Sequence, residues 1–446
     1  MKSFLYCCLF SQVTIKIYKM INNQNWFYYS FACFFSVFCL YLFGIYFLES
    51  SKKSFYLLVI LFLMTLVFRK SLNTHANKLF VFINQLVMDK IKHIPHFAKY
   101  LFFFIVMPVI FYLLRTNARG DTVYGLFDTS TPIAITDAGA TAIYYLLFEG
   151  VFAPLNISGA DTYIIMATIF GGLATFVLWK IAKMIFHNLT VIYFLLVSLS
   201  GATGLFFGYI EAYAILNVSI LLYLLAGVYV IKFKKSLFYP TITASLVAII
   251  HLIGFVVLPS LLFLFYYVYK NNPAHSLVRH CRKYLITYLF LIAFAYIIMW
   301  PFKYPVAPTD DLSMWSPFLG IEKQMIEGFI SLAYYKAKVS ELVIASGTII
   351  FAVLILLCKK ILSKTLDEID WFLSLLSAGL LVPLVVINTV VQGGDWGVTV
   401  GLGYPLLFLG LKIINDEEQD RILWLLTTMI FSLFISLNFF WYLWTV

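Results

Sequence analysis

Apolar runs of roughly 20 residues recur along the whole of this chain of 446 residues. That is the length an α-helix needs to cross the hydrocarbon of a bilayer. In lipid every backbone amide must be satisfied within its own segment, so the runs are predicted to be helices and the fold all-α. Charged residues make up 12% of the chain and hydrophobic ones 62%, about half the charge of a soluble domain. No stretch reads as a separate soluble domain. The formal net charge of +10 therefore points to cytoplasmic loops, where Lys and Arg gather, and no nucleic-acid partner is expected. The six cysteines show neither metal-ligand nor disulfide-framework spacing.

Residues 1–99 read as an N-terminal extension. Runs at 26–48 and 54–68 are followed by a basic stretch, 69–99. There Leu79, Phe80, Phe82, Ile83, Leu86 and Val87 recur at helical spacing, with Asn84, Gln85, Asp89 and Lys90 on the other side. This predicts an amphipathic helix on the cytoplasmic interface. Residues 100–446 form the transmembrane core. In it, 138–154 is interrupted by Glu149 and ended by Pro154. Laying that segment along the outer surface keeps Lys180, Lys183, Lys232, Lys234 and Lys235 on the inner side. The predicted architecture then has about 13 spans, the N-terminus inside and the C-terminus outside, with a hairpin at 239–269 broken near Pro259. Cytoplasmic segments hold 23 of the 31 Lys and Arg, and outer segments hold 13 of the 21 acids. An acid-rich outer face on a basic protein is the main pointer to function.

Residues 201–213 read GATGLFFGYIEAY and place Glu211 between two apolar runs. An acid beside lipid is costly and is more often functional than structural. Asp121 follows Arg119 and Gly120 just after a membrane exit, and Asp128 and Asp137 follow in the same loop. Asp310 and Asp311 lie in the longest outer loop, and Asp395 lies in GGDWG, 393–397, beside Trp396. Convergent carboxylates suit two tasks. One deprotonates an acceptor as general base; two or three hold a divalent cation against a phosphate leaving group. The alternative for each acid is a solvated loop residue. Arg119, Lys303, Lys336 and Lys338 suit a phosphate or headgroup anchoring. His251 reads as a core histidine or a lipid-phosphate contact. No Walker loop, HExxH, GxSxG or dinucleotide fingerprint is present in context. Gly171 and Gly172 read as close helix packing.

Taken together, FFGYIEAY at 206–213, the first-loop Asp121, His251 and Pro259 eight residues apart, and GGDWG followed by Pro405 resemble the GT-C superfamily of membrane glycosyltransferases. The first element resembles the FGYxExY motif of a bacterial branch and GGDWG resembles its DWD element, with Gly397 where that branch often has a second Asp. The resemblance covers roughly 100–411. It implies a multi-pass enzyme of a bacterial inner or plasma membrane that moves a sugar from a polyprenyl-phosphate donor to a glycan, lipid or protein acceptor. It implies Asp121 as base, Glu211 and Asp137 as supporting acids, and Arg119, Tyr209, His251, Asp395 and Trp396 as substrate contacts. Asp121 and Glu211 would take a divalent cation, Mg or Mn, if one is used. Two other functions compete: a surface-polysaccharide polymerase or ligase, and a lipid or sugar transporter without chemistry. The first tends to use Arg and His on a large outer loop. The second calls for mid-membrane polar residues and internal repeats, and no clear repeat is visible.

Overall fold

The computed structural model describes residues 69–116, 138–208, 213–271, 277–299, 342–343, 345–347, 349–386, 401, 403–417, 421, 424–429 and 432. They are helical, with no strand among them. Twelve helices organise them: α1 Arg69–His93, α2 His96–Leu113, α3 Ala138–Leu147, α4 Gly159–Ile185, α5 Thr190–Ser198, α6 Tyr213–Phe233, α7 Phe238–Ile250, α8 Leu258–Asn271, α9 Leu277–Met299, α10 Ile349–Leu362, α11 Glu368–Val386 and α12 Gly403–Asp416.

The centre is α6. Its apolar window is 83% buried, and it packs against α4, α7, α8 and α11. Its sequence is apolar all round, as a helix enclosed by others must be. At the other extreme α2 is 11% buried and exposes Phe102, Phe104, Ile105 and Val109. On a chain of this composition such a surface suits contact with lipid. Pro108 withdraws a backbone donor from α2, and the turn ahead of it, Phe102–Val106, widens to a π-helix.

Among the described residues four helices are long and apolar enough to cross a membrane: His96–Leu113, Gly159–Ile185, Tyr213–Phe233 and Gly254–Asn271. This supports an all-α, membrane-associated protein. Several of the roughly 13 spans predicted from apolar runs lie wholly or partly outside the described residues, and one within them is not a single long helix. The run 189–207 is a nine-residue α5 followed by a 3-10 helix, Gly201–Phe206, together about 26 Å long. Residues 1–68 lie outside the described residues.

Local chemistry explains several boundaries. Ser158 caps α4, its Oγ accepting from the Asp161 N–H at 3.1 Å and donating to the Asp161 carboxylate at 2.6 Å. Asn156 closes the segment after Pro154 in the left-handed region, φ 58°. The helix at Ala142–Leu155 falls among the shorter apolar helices. The predicted hairpin at 239–269 is present, but its break starts at His251, eight residues before Pro259. α7 ends there in extended backbone, a 3-10 turn Leu252–Val257 follows, and α8 begins with Pro259 in its first turn, where a missing N–H costs nothing. The glycine pair in α4 packs as predicted. A side chain at Gly171 would overlap Phe206 and Phe111; one at Gly172 would overlap the Phe103 carbonyl and Pro108.

α1 differs from its sequence pattern. Phe80 and Asn84 are buried, whereas Leu79, Phe82 and Leu86 are exposed. The periodicity puts Asn84 on the polar side; instead its Oδ1 accepts from the Val191 N–H at 2.9 Å. Val191 is in the first turn of α5, whose N-cap Leu189 offers no side-chain cap. One helix thus satisfies an open donor of another. Asn84→Ala is expected to lower stability by about 1 kcal/mol, the usual loss for a cap, read as a lower thermal midpoint. Asn84→Asp should retain most of it.

Candidate functional site

Seven of the eight predicted site residues, Arg119, Asp121, Asp137, Tyr209, Glu211, Asp395 and Trp396, lie outside the described residues, as do Asp128, Asp310 and Asp311. Their described neighbours in the chain, however, meet one another at the Tyr213 end of α6. The Thr116 N–H, just after α2, donates to the Phe207 carbonyl at 2.8 Å. This joins the start of the segment holding Asp121 to the start of the segment holding Glu211. Gly208, φ 74°, lies against Arg115 and Ile164. That positive φ is open to glycine and strained for most other residues. Gly139, two residues after Asp137, sits so close to Ile249 and Ile250 that an added Cβ would overlap the Ile249 carbonyl. Tyr213, two residues after Glu211, has its ring 5.8 Å from the His251 ring. Gly401, six residues after Asp395, abuts the Asn217 side chain, and Asn217 donates from Nδ2 to the Tyr213 carbonyl at 3.0 Å.

His251 is the predicted site residue within the described set. It is 2% exposed at the break after α7, so it reaches this end from inside the bundle, behind Tyr213. Its backbone is fully used: its N–H donates to Val247 and its carbonyl accepts from Gly254. Four polar groups at this end do not stand out in the sequence motifs. Arg115 is exposed, and its Nη1 donates to the Tyr112 carbonyl at 3.2 Å with the guanidinium 4.6 Å from the Tyr112 ring centre. Among the described residues it is the one Lys or Arg at this end. Asn217 is fully buried, and among the described residues its Oδ1 has no hydrogen-bond partner. A lone Asn inside YAILNVSILL is a legible signal. Tyr144 stacks on Tyr163 with ring centres 4.4 Å apart, and the buried Tyr144 hydroxyl has no partner among the described residues. By sequence neither tyrosine is distinguishable from interface aromatics.

The opposite end of α6 is charged differently. Lys180, Lys183, Lys232, Lys234, Lys235, Lys270, Arg282 and Lys283 lie at helix ends on that side. There α10, α11 and α12 are tied by an ion cluster. Lys360 Nζ is 2.5 Å from Asp370 and 2.6 Å from Asp416, and Lys412 Nζ is 2.9 Å from Asp367 and also pairs with Asp416. Lys359 pairs with Glu417 at 2.8 Å. Asp367 and Asp370 form a reciprocal cap at the start of α11: each accepts from the other's N–H, at 2.8 and 3.2 Å. One carboxylate oxygen from each of Asp367, Asp370 and Asp416 falls within 4.8 Å of the others, the spacing of a cation site. Two ammonium groups already occupy that space, so the group reads as an ion network and a poor fit for a divalent cation. The acids proposed for a cation, Asp121 and Glu211, are outside the described residues. Burial holds the Asp370 carboxyl above the ordinary carboxylate range; at Asp367 burial pushes the same way but is outweighed by the Lys412 hydrogen bond and its N–H donor, which lower it.

No family model, curated protein or solved structure matches this chain. Its function has to be read from its own residues.

Proposed function

We propose that the chain is a membrane glycosyltransferase that takes a sugar from a polyprenyl-phosphate donor at the Tyr213 end of the bundle, and that this end faces outward. The observation that carries the reading is the convergence of chain neighbours. The segments holding Asp121, Asp137, Glu211 and Asp395 start or end beside one another, at Thr116–Phe207, Gly139–Ile249, Tyr213–His251 and Gly401–Asn217. The reading requires the carboxylates of those segments to reach one substrate. The cations gathered at the opposite end favour that end as cytoplasmic. The arrangement of about 13 spans, N-terminus in and C-terminus out, with 1–99 as an extension to a 100–446 core, belongs to the same proposal.

In this scheme the lipid tail lies along exposed α2 and its phosphate meets Arg119 or an outer lysine, with Arg115 at the helix end beside it. Asp121 takes the proton from the acceptor hydroxyl as its oxygen attacks the sugar's anomeric carbon, and the bond to phosphate breaks with inversion. Glu211 and Asp137 orient the acceptor or hold a cation. Asp121→Asn should lower transfer from a labelled polyprenyl-phosphate sugar in vesicles by about a hundredfold or more, the usual share of a general base, with an unchanged thermal midpoint. A fully active variant would sink the assignment.

A further inference from the structure

We infer that α1 is a docking surface for anionic phospholipid. The bundle holds one side of the helix and leaves the other open. Phe80 and Asn84 are buried, with Asn84 bonded to the α5 backbone at Val191. The open side carries Leu79, Phe82 and Leu86, exposed at 54%, 60% and 49%. These three lie at i, i+3 and i+7, one ridge along the helix. Lys78, Lys90 and Lys92 are exposed beside the ridge, and the one exposed acid, Asp89, is paired with Lys92 at 2.9 Å. The open face is thus apolar along its middle and basic at its margins.

Its surroundings say what covers it. Past Pro95 the apolar surface continues through Ile94 and Phe97, 41% and 76% exposed, into the lipid-facing side of α2. Lys180 adds charge at the same level: its Nζ is 5.2 Å from the Phe176 ring, which packs on Tyr100, Phe103 and Phe104 of α2. A protein partner would have to match a surface that runs without a break onto a membrane span. A leaflet matches it by construction: acyl chains take Leu79, Phe82 and Leu86 while headgroup phosphates take the lysines. The charge complement selects anionic headgroups over zwitterionic ones, each lysine near such a surface contributing about fivefold.

The test uses the full chain in nanodiscs of phosphatidylcholine alone or mixed with phosphatidylglycerol, and reads amide hydrogen exchange over Arg69–His93. Exchange should be about tenfold slower in the mixed discs. Salt at about 1 M should remove most of that difference, because screening then acts within about 3 Å. K78Q with K90Q should remove the dependence on phosphatidylglycerol. L79S with F82S and L86S should speed exchange in both discs. Unchanged exchange over α6 verifies that each variant is folded. Equal exchange in the two discs, or a difference that survives K78Q with K90Q, overturns the inference. So does full protection in detergent without phospholipid, which would assign the face to another part of this chain or to a second copy.

Discussion

Lys412→Ala is expected to remove about 3 kcal/mol of stability, the lower end of the usual effect of deleting one partner from a buried charge group. Three carboxylates, Asp367, Asp370 and Asp416, face two ammonium groups, Lys360 and Lys412. Lys412 is 8% exposed and Asp370 fully buried, while the closer partners Asp367 and Asp416 are 45% and 29% exposed, so water replaces part of what the mutation removes. The variant would leave three acids around Lys360 alone. Asp370→Asn should do the reverse. It deletes the surplus charge, keeps two acids for two lysines, and should change stability little at neutral pH. The sign with pH follows. Asp370 has a raised folded pKa, so its favourable contribution is present at low pH and is lost as pH rises through that value. Asp367 is lowered, so its contribution is present at neutral pH and is lost only as pH falls below the ordinary carboxylate range. Thermal midpoints of the wild type, relative to Asp370→Asn, should therefore decline as pH rises above the ordinary carboxylate value of about 4. A flat difference would show that Asp370 does not titrate there. A neutral Lys412→Ala would show that the network contributes nothing.

Gly139→Ala is expected to destabilise the Tyr213 end of the bundle by about 3 kcal/mol or more, the upper range for overpacking. The added Cβ would overlap the Ile249 carbonyl oxygen and crowd the Ile250 Cα, both backbone atoms. Gly227 makes the informative contrast. A Cβ there also overlaps a neighbour, but that neighbour is the tip of the Phe372 ring, a side chain with rotatable bonds and not fixed backbone. Gly227→Ala should therefore cost about 1 kcal/mol, the lower end of the same range. Gly139 also follows Asp137 by two residues and presses on the residues just before His251. Gly139→Ala should therefore lower glycosyl transfer as well as the thermal midpoint, while Gly227→Ala should lower the midpoint alone. Equal losses of transfer in the two variants would detach Gly139 from the proposed site.

The apolar runs alone determined the helical fold class, because lipid leaves a spanning backbone no other way to satisfy its amides. Spacing also disclosed the α4 glycine contacts and the hairpin at 239–269. Hydropathy could not say where a run stops being one helix. The α5 run ends after nine residues, and the hairpin breaks at His251 before it reaches its proline; both stops depend on packing that a one-dimensional pattern does not contain. Face assignment on α1 fails for the same reason. Periodicity marks Asn84 as polar and outward, while the open N–H of Val191, 107 residues away, turns it inward. By sequence Asp367, Asp370 and Asp416 are ordinary loop charges, and only folding brings them around Lys360 and Lys412. Motifs named the acids of the proposed site; the fold added that their chain neighbours meet at one end of α6, since long-range contacts such as Thr116 with Phe207 arise from how helices pack and not from the order in which residues occur.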